Sequence, residues 1–238
     1  MGNLSEIISF LEKNPAQNCN MINFIRNYDP EIILRKGNSV AIKAVSDHPW
    51  IYISSNSPEE LNTILDELDP ADKYFAVIED RLIPNFKKRY RFKWLLRTIK
   101  YILSSDKAIN ENISDVSPLK AEDAETVLNN SDYTEYNSLE YVAERIKNGI
   151  SGGIRIRNEL AGWIMTHDDN AIGFLFVLEK FRRRGIADKL LSYMIMEVRK
   201  KGIMPFVHIE EKNTASGKLI QKYGFQKYGG ISWFEIIK

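Results

Sequence analysis

The chain has 238 residues, 44% of them hydrophobic and 27% charged, which fits one large or two small globular domains. Its net charge of +1 gives no overall pull toward nucleic acid or an anionic membrane. A single cysteine, Cys19, excludes an intrachain disulfide, three scattered histidines (His48, His167, His208) have no zinc spacing, and no apolar run nears the roughly 18 residues of a membrane span.

The chain is expected to open with a helix, because Leu4, Ile7, Ile8 and Leu11 share one helical face. Short strands are expected over residues 31–34, 39–45 and 50–54. Ser57-Pro58-Glu59-Glu60 marks a helix start: Ser57 caps, Pro58 suits the first turn and Glu60 reaches back to close a capping box. Leu61, Ile64, Leu65 and Leu68 then form its buried stripe, and residues 74–78 read as a further strand. From Arg81 to Lys100 there are eight basic residues and no acidic one, with Phe86, Tyr90, Phe92 and Trp94 interleaved. That composition suits a nucleic-acid surface. It equally suits a strand or helix with one wet face, the reading preferred for a chain of near-zero net charge.

Residues 105–112 are polar and are expected to link an N-terminal mixed α/β domain, residues 1–104, to a second domain over 113–238. In the second domain the pattern predicts a strand at 116–119, helices at 121–129 and 139–147, and antiparallel strands at 154–157, 160–166 and 171–178. Asp168-Asp169-Asn170 is expected to form the turn before the last of these. A helix over 186–201 follows, with Gly202 as its left-handed exit, then a strand at 206–209, a helix at 214–223 and a final strand at 231–237. No internal repeat is evident. The N-terminus lacks a basic-then-apolar signal pattern, and Glu6 stands where a myristoylation motif wants Ser or Thr, so the expected compartment is the cytoplasm.

The chemistry is expected at the turn between residue 178 and the helix at 186. An apolar strand feeds Arg182-Arg183-Arg184-Gly185-Ile186-Ala187, and the helix begins at once. Gly185 lets the backbone approach a phosphate closely, and the unpaired N–H groups of the helix start add partial positive charge. A second pattern follows in order: Asn213, Ser216 three residues on, then Gly224 and Phe225, with Gly224 11 residues after Asn213.

Arg-x-x-Gly-x-Ala followed by Asn213, Ser216, Gly224 and Phe225 resembles the acyl-CoA signature of the GCN5-related N-acetyltransferases. Ala161-Gly162-Trp163 and His208-Ile209-Glu210 look like the branch of FR47-like proteins and glycine N-acyltransferases. The resemblance covers about residues 113–238. It implies a mostly antiparallel, twisted mixed sheet flanked by helices, preceded here by the smaller α/β domain. It also implies transfer of an acetyl or other acyl group from acyl-CoA to an amine of a small molecule or protein, without a metal. By that resemblance the strand ending at Val177 splays from the strand at 206–209. The pantetheine arm would then pair with the backbone of Phe176, Val177 and Leu178. Arg182, Arg183, Arg184, Gly185, Ala187 and Asp188 would hold the pyrophosphate, and Asn213 and Ser216 belong to the same cofactor side.

Two positions depart from the family pattern. The tyrosine that protonates the leaving thiolate is replaced by Ile220, and the glutamate base of glycine N-acyltransferases by Ala171. Tyr223, one turn beyond Ile220, and Glu210, at the end of the 206–209 strand, are the remaining candidates for acid and base. A thiolate with a pKa near about 8.5 leaves without an acid, so no single tyrosine is expected to be essential. Trp163, Tyr133 and Tyr136 are candidates for an acceptor pocket, with core packing as the plainer role. A binding module that keeps the acyl-CoA site without catalysis is the alternative from another class.

Overall fold

The computed structural model describes residues 4–104, 108–109, 113–131, 134 and 137–237. The elements in chain order are α1 Leu4–Leu11, α2 Pro15–Asn27, β1 Ile32–Lys36, β2 Ser39–Val45, β3 Pro49–Ser54, α3 Pro58–Glu67, β4 Tyr74–Glu79, α4 Ile83–Arg89 and β5 Arg91–Ile102. They continue with β6 Val116–Ser117, α5 Ala124–Asn129, α6 Leu139–Asn148, β7 Ser151–Ile156, β8 Glu159–Thr166, β9 Ile172–Val177, α7 Ile186–Lys200, β10 Phe206–Ile209, α8 Thr214–Tyr223 and β11 Gln226–Ile237.

Packing divides the chain into two compact units. The first comprises Met1–Lys100, Ile209–Lys212 and Lys227–Lys238; the second comprises Tyr101–His208 and Asn213–Gln226. Most of residues 105–112 lies outside the described residues, as do Tyr133 and Tyr136. The compositional division set residues 227–238 with the second half. In the structure β11 pairs antiparallel with β4 of the first unit, Ile231 opposite Glu79 and Glu235 opposite Tyr74.

The strand order in the first unit is β1-β2-β3-β4-β11-β5, and in the second β10-β9-β8-β7-β6. Each contains a parallel pair, β3 with β4 and β9 with β10. Helices flank mostly antiparallel strands, as the sequence led us to expect. The two halves also share an order that residue similarity did not disclose. Each runs helix, helix, three antiparallel strands, helix, a strand parallel to the third, helix and a 12-residue strand.

Local signals account for most of the elements. Ser57 caps α3, its hydroxyl accepting the Glu60 N–H at 3.2 Å. The expected capping box does not close. The Glu60 carboxylate instead accepts from the Asn38 N–H at 3.2 Å and the Ser39 hydroxyl at 2.7 Å, tying α3 to the β1–β2 turn. Helix α2 is absent from the sequence-based reading because four asparagines, poor helix formers, interrupt its apolar periodicity. Asn18, Asn20 and Asn23 are all buried. Asn18 donates to the Leu11 carbonyl at 2.9 Å, and Asn20 accepts from the Lys100 ammonium at 3.1 Å.

The basic stretch forms α4 and most of β5, and several of its cations have acidic partners within the first unit. Arg81 pairs with Glu79, Arg89 with Asp66 at 2.6 Å, and Lys93 with Glu235 at 3.1 Å. Arg97 bridges Asp80 at 2.7 Å and Glu211 at 3.1 Å. Lys100 is buried, donating to the Gln17 carbonyl at 3.0 Å. These pairings give part of the stretch a structural role, while Lys87, Lys88 and Arg91 stay exposed.

In the second unit Trp163 lies 1% exposed, stacked on Phe176 at 5.1 Å, in a core with Leu119, Val142, Ile146 and Met165. It is therefore a core residue and lines no acceptor pocket. No helix among the described residues is long and apolar enough to cross a membrane.

Candidate active site

The turn after β9 is built by backbone geometry. The Leu178 N–H donates to the Ala161 carbonyl at 3.0 Å, which closes β9 against β8. Glu179–Phe181 makes one tight turn, with the Phe181 N–H on the Leu178 carbonyl at 2.8 Å, and Phe181 is buried as its anchor. Arg183 and Gly185 then both take left-handed backbone angles, φ 62° and 74°. The angle at Gly185 favours glycine, and a Cβ there would meet nothing within 4 Å, so the space above it is open.

Helix α7 starts directly after Gly185 without a side-chain cap. Its first closing bond is Lys189 N–H to the Gly185 carbonyl at 3.1 Å. The N–H groups of Ile186, Ala187 and Asp188 precede that bond and lie at the positive end of the helix. A left-handed loop, an open approach and an uncapped helix start make an anion-binding geometry.

The arginines are placed less uniformly than their sequence suggests. Arg182 donates from Nε to the Val177 carbonyl at 3.1 Å, and Arg184 to the Lys180 carbonyl at 3.4 Å. Both guanidinium groups lie over aromatic rings of the same segment, Phe176 at 5.8 Å and Phe181 at 5.5 Å. Asp188 turns its carboxylate to Lys222 on α8.

Strands β9 and β10 pair in parallel at Ile172 and Val207. Beyond that point β9 keeps its antiparallel bonds to β8, while Phe174 at φ 51° bends it. The edge from Gly173 to Val177, which includes Phe176, thus parts from β10.

Asn213 caps α8, its side-chain oxygen accepting the Ser216 N–H at 3.1 Å. Gly224 ends that helix at φ 83°, with the Phe225 N–H on the Ile220 carbonyl at 3.1 Å and the Gly224 N–H on the Gln221 carbonyl at 2.9 Å. This paired closure is the Schellman arrangement. The conspicuous spacing from Asn213 to Phe225 is therefore also the spacing of a helix capped at both ends.

The sequence candidates for proton transfer fall in different settings. Ile220 and Ala171 are buried and apolar. The Tyr223 hydroxyl donates to the Asp188 carbonyl at 2.7 Å and lies 2.9 Å from the Ser192 hydroxyl, so it straps α8 to the first turn of α7. Burial, with the nearby Asp188 charge, pushes the phenol up and keeps it neutral. Tyr223→Phe is expected to cost about 1 kcal/mol of stability and to weaken acetyl-CoA binding a few-fold, with kcat within about tenfold. Denaturant titration and calorimetry check this, and a loss of about 100-fold in kcat at intact affinity would make Tyr223 the acid. Glu210, in the first unit, pairs with Lys212 at 3.0 Å.

The Asp168–Asn170 turn forms as expected but is buried. Asp169 accepts the Ala171 N–H at 2.9 Å, Asp168 accepts the Asp169 N–H at 3.0 Å, and Asn170 takes φ 61°. His167, just before it, packs on β9 and was not singled out from sequence. Its neighbours come from three separate segments, and spacing along the chain does not reveal them. Among the described residues no three His, Cys, Asp or Glu side chains gather as metal ligands.

Residues 149–234 match the family model described as FR47-like protein. An acetyltransferase of Agrobacterium fabrum is 33% identical over 84 residues, which is 35% of this chain and 56% of the relative; the chain thus spans about half the length of that curated protein. A Drosophila protein solved by structural genomics superposes with a TM-score of 0.78 at 18% identity, covering 98% of this chain and 96% of that one. A GCN5-related N-acetyltransferase of Kribbella flavida does so with a TM-score of 0.57 at 11% identity, covering 92% and 93%. At these identities the two structural likenesses concern the fold.

Proposed function

We propose that the chain, which through residues 149–234 matches the FR47-like family model, is a GCN5-related N-acetyltransferase of the FR47-like branch and transfers an acetyl group from acetyl-CoA to an amine. The observation that carries the reading is the α7 start, where left-handed Arg183 and Gly185 lead into a helix without a side-chain cap and a Cβ at Gly185 would meet nothing within 4 Å. A pyrophosphate fits there by charge and by hydrogen bonding. Its contact with the helix end alone is worth about 0.3–1 kcal/mol, more when partly buried. Well-placed arginine bonds add roughly 1.5–3 kcal/mol each.

The pantetheine arm would run along β9 in the cleft facing β10. The Leu178 N–H and the Val177 carbonyl are already engaged by Ala161 and Arg182. The amine attacks the thioester carbon directly, and positioning supplies much of the rate. The acceptor is an amine of a small molecule or of a protein.

The test is calorimetry with acetyl-CoA and CoA, followed by a screen of amines scored by thiol release. Absence of CoA binding removes the reading. Tight binding without turnover of any amine would leave a binding module instead.

A further inference from the structure

In the first unit β3 and β4 pair in parallel at Ile51–Phe75 and Tyr52–Ala76, and their register ends there. The next residue of β4, Val77, takes φ 56°, a left-handed angle that a β-branched side chain rarely adopts. A cavity lies at this place, lined by Ser54 of β3, Val77 and Glu79 of β4, Gln17 and Asn18 of α2, and Lys100 of β5. It leaves about 20 Å³ for the centres of water-sized groups, enough for roughly one or two of them, and it opens to solvent.

The charges around the cavity do not cancel. Lys100 is 1% exposed. Its ammonium donates to the Gln17 carbonyl at 3.0 Å and the Asn20 side-chain oxygen at 3.1 Å, and lies 4.0 Å from the Cys19 sulfur and 4.4 Å from the centre of the Tyr228 ring. Among the described residues no carboxylate pairs with it. Glu79 is spoken for elsewhere: it accepts from the Gln17 amide at 3.2 Å and the Tyr228 hydroxyl at 3.3 Å, and it pairs with Arg81. Burial and the Glu79 charge push the Tyr228 phenol up to about 12, so it stays neutral. With Arg81 balancing Glu79, one positive charge is left over, on a side chain held out of water, where an anion gains most.

Asn18 supplies the second observation. It is 6% exposed, and its Nδ2 donates to the Leu11 carbonyl at 2.9 Å, which fixes the amide's orientation. Its Oδ1 is buried without a hydrogen-bond partner. A buried acceptor left unmet is costly, so this atom calls for a donor.

We propose that this cavity binds a small hydroxycarboxylate, its carboxylate on Lys100 and its hydroxyl donating to Asn18 Oδ1. A hydroxyl serves better than an ammonium, because a second cation would repel Lys100. The enclosed room suits these polar groups alone, and the rest of the molecule extends through the open side. Every residue of the site belongs to the first unit, so the assignment stands apart from the transferase reading.

The test is calorimetry on the full chain with glycolate and lactate as probes, and acetate and glycolamide as controls. Glycolate and lactate are expected to saturate one site below about 10 mM. Acetate lacks the hydroxyl and glycolamide the charge, and each is expected to bind at least about fivefold more weakly. Lys100→Met is expected to weaken glycolate binding at least about tenfold. Should that variant fail to fold, Ser54→Leu, which fills the cavity from β3 and keeps the ammonium, is expected to do the same. Saturating CoA leaves glycolate affinity within about twofold, and competition between the two would place the anion at the α7 start and overturn the assignment. So would a cavity that holds water only, seen as no saturable binding by either probe. Glycolamide binding as tightly as glycolate, or glycolate binding within about twofold of wild type in a folded Lys100→Met or Ser54→Leu chain, overturns it too. A wild type that binds glycolate but no CoA loses the transferase reading and keeps this one.

Discussion

Gly185→Glu is expected to weaken acetyl-CoA binding at least about 100-fold in calorimetry, while the chain stays folded. The two effects separate because of the local geometry. A Cβ at 185 meets nothing within 4 Å, so no protein atom is displaced. The left-handed angle of 74° costs a non-glycine residue about 1–2 kcal/mol. The carboxylate then sits at the uncapped start of α7, where it satisfies the same N–H groups and repels a pyrophosphate. A 100-fold loss corresponds to about 2.7 kcal/mol, within reach of one lost anion contact plus one added repulsion. Gly185→Ala carries only the backbone strain and is expected to bind nearly as the wild type does. Binding by the glutamate variant within about threefold of wild type would remove the pyrophosphate from this turn.

Glu235→Gln is expected to produce the largest stability loss, about 1.5–3 kcal/mol near neutral pH by denaturant titration. Glu235 is 4% exposed on β11. It accepts from the Lys73 ammonium at 2.9 Å, the Lys93 ammonium at 3.1 Å and the Trp94 ring N–H at 3.1 Å. The Lys73 hydrogen bond pulls its pKa below the usual carboxylate value, against burial, which pushes it up. The folded pKa thus lies below the unfolded one. The contribution is complete above the unfolded carboxylate range, about 4.3, and is lost as pH falls through the folded value. Both lysines are largely solvated, which sets the loss toward the lower end of the range. The variant and the wild type should converge once pH has fallen below the folded value, where both side chains are neutral. A difference that persists there would mean that shape, and not charge, is what Gln fails to supply.

What the sequence disclosed depended on whether the deciding partner was close along the chain. Ser57 and α3, Gly202 after α7, and Asn213 and Gly224 around α8 are settled within a few residues and were legible. Glu60 was misjudged because its partners are Asn38 and Ser39, some twenty residues back on the β1–β2 turn. Helix α2 was missed because its buried face carries amides, one of them satisfied by Lys100, 80 residues on. Strand β11 begins at Gln226, ahead of the expected start at Ile231, because its first residues are polar or glycine and its pairing with β4 decides the rest. The turn proposed for the donor could be singled out because phosphate binding would use consecutive backbone groups. Tyr223 was named from the sequence as a candidate acid, but its tie to Asp188, 35 residues away, was not readable there.

The recurring order of elements has a consequence for stoichiometry. In the first half the helix after the third strand is α3, the counterpart of α7. It opens Pro58-Glu59-Glu60, and the Ser57 hydroxyl already takes one of its N–H groups. A phosphate approaching that end would meet two carboxylates and a missing donor, since Pro58 has no N–H. The corresponding position in the second half presents arginines and an uncapped helix. The same succession of strands and helices therefore carries opposite electrostatic sign at its two helix starts. A chain that runs through this succession twice should saturate at one equivalent of acetyl-CoA and behave as a single-site enzyme toward its donor.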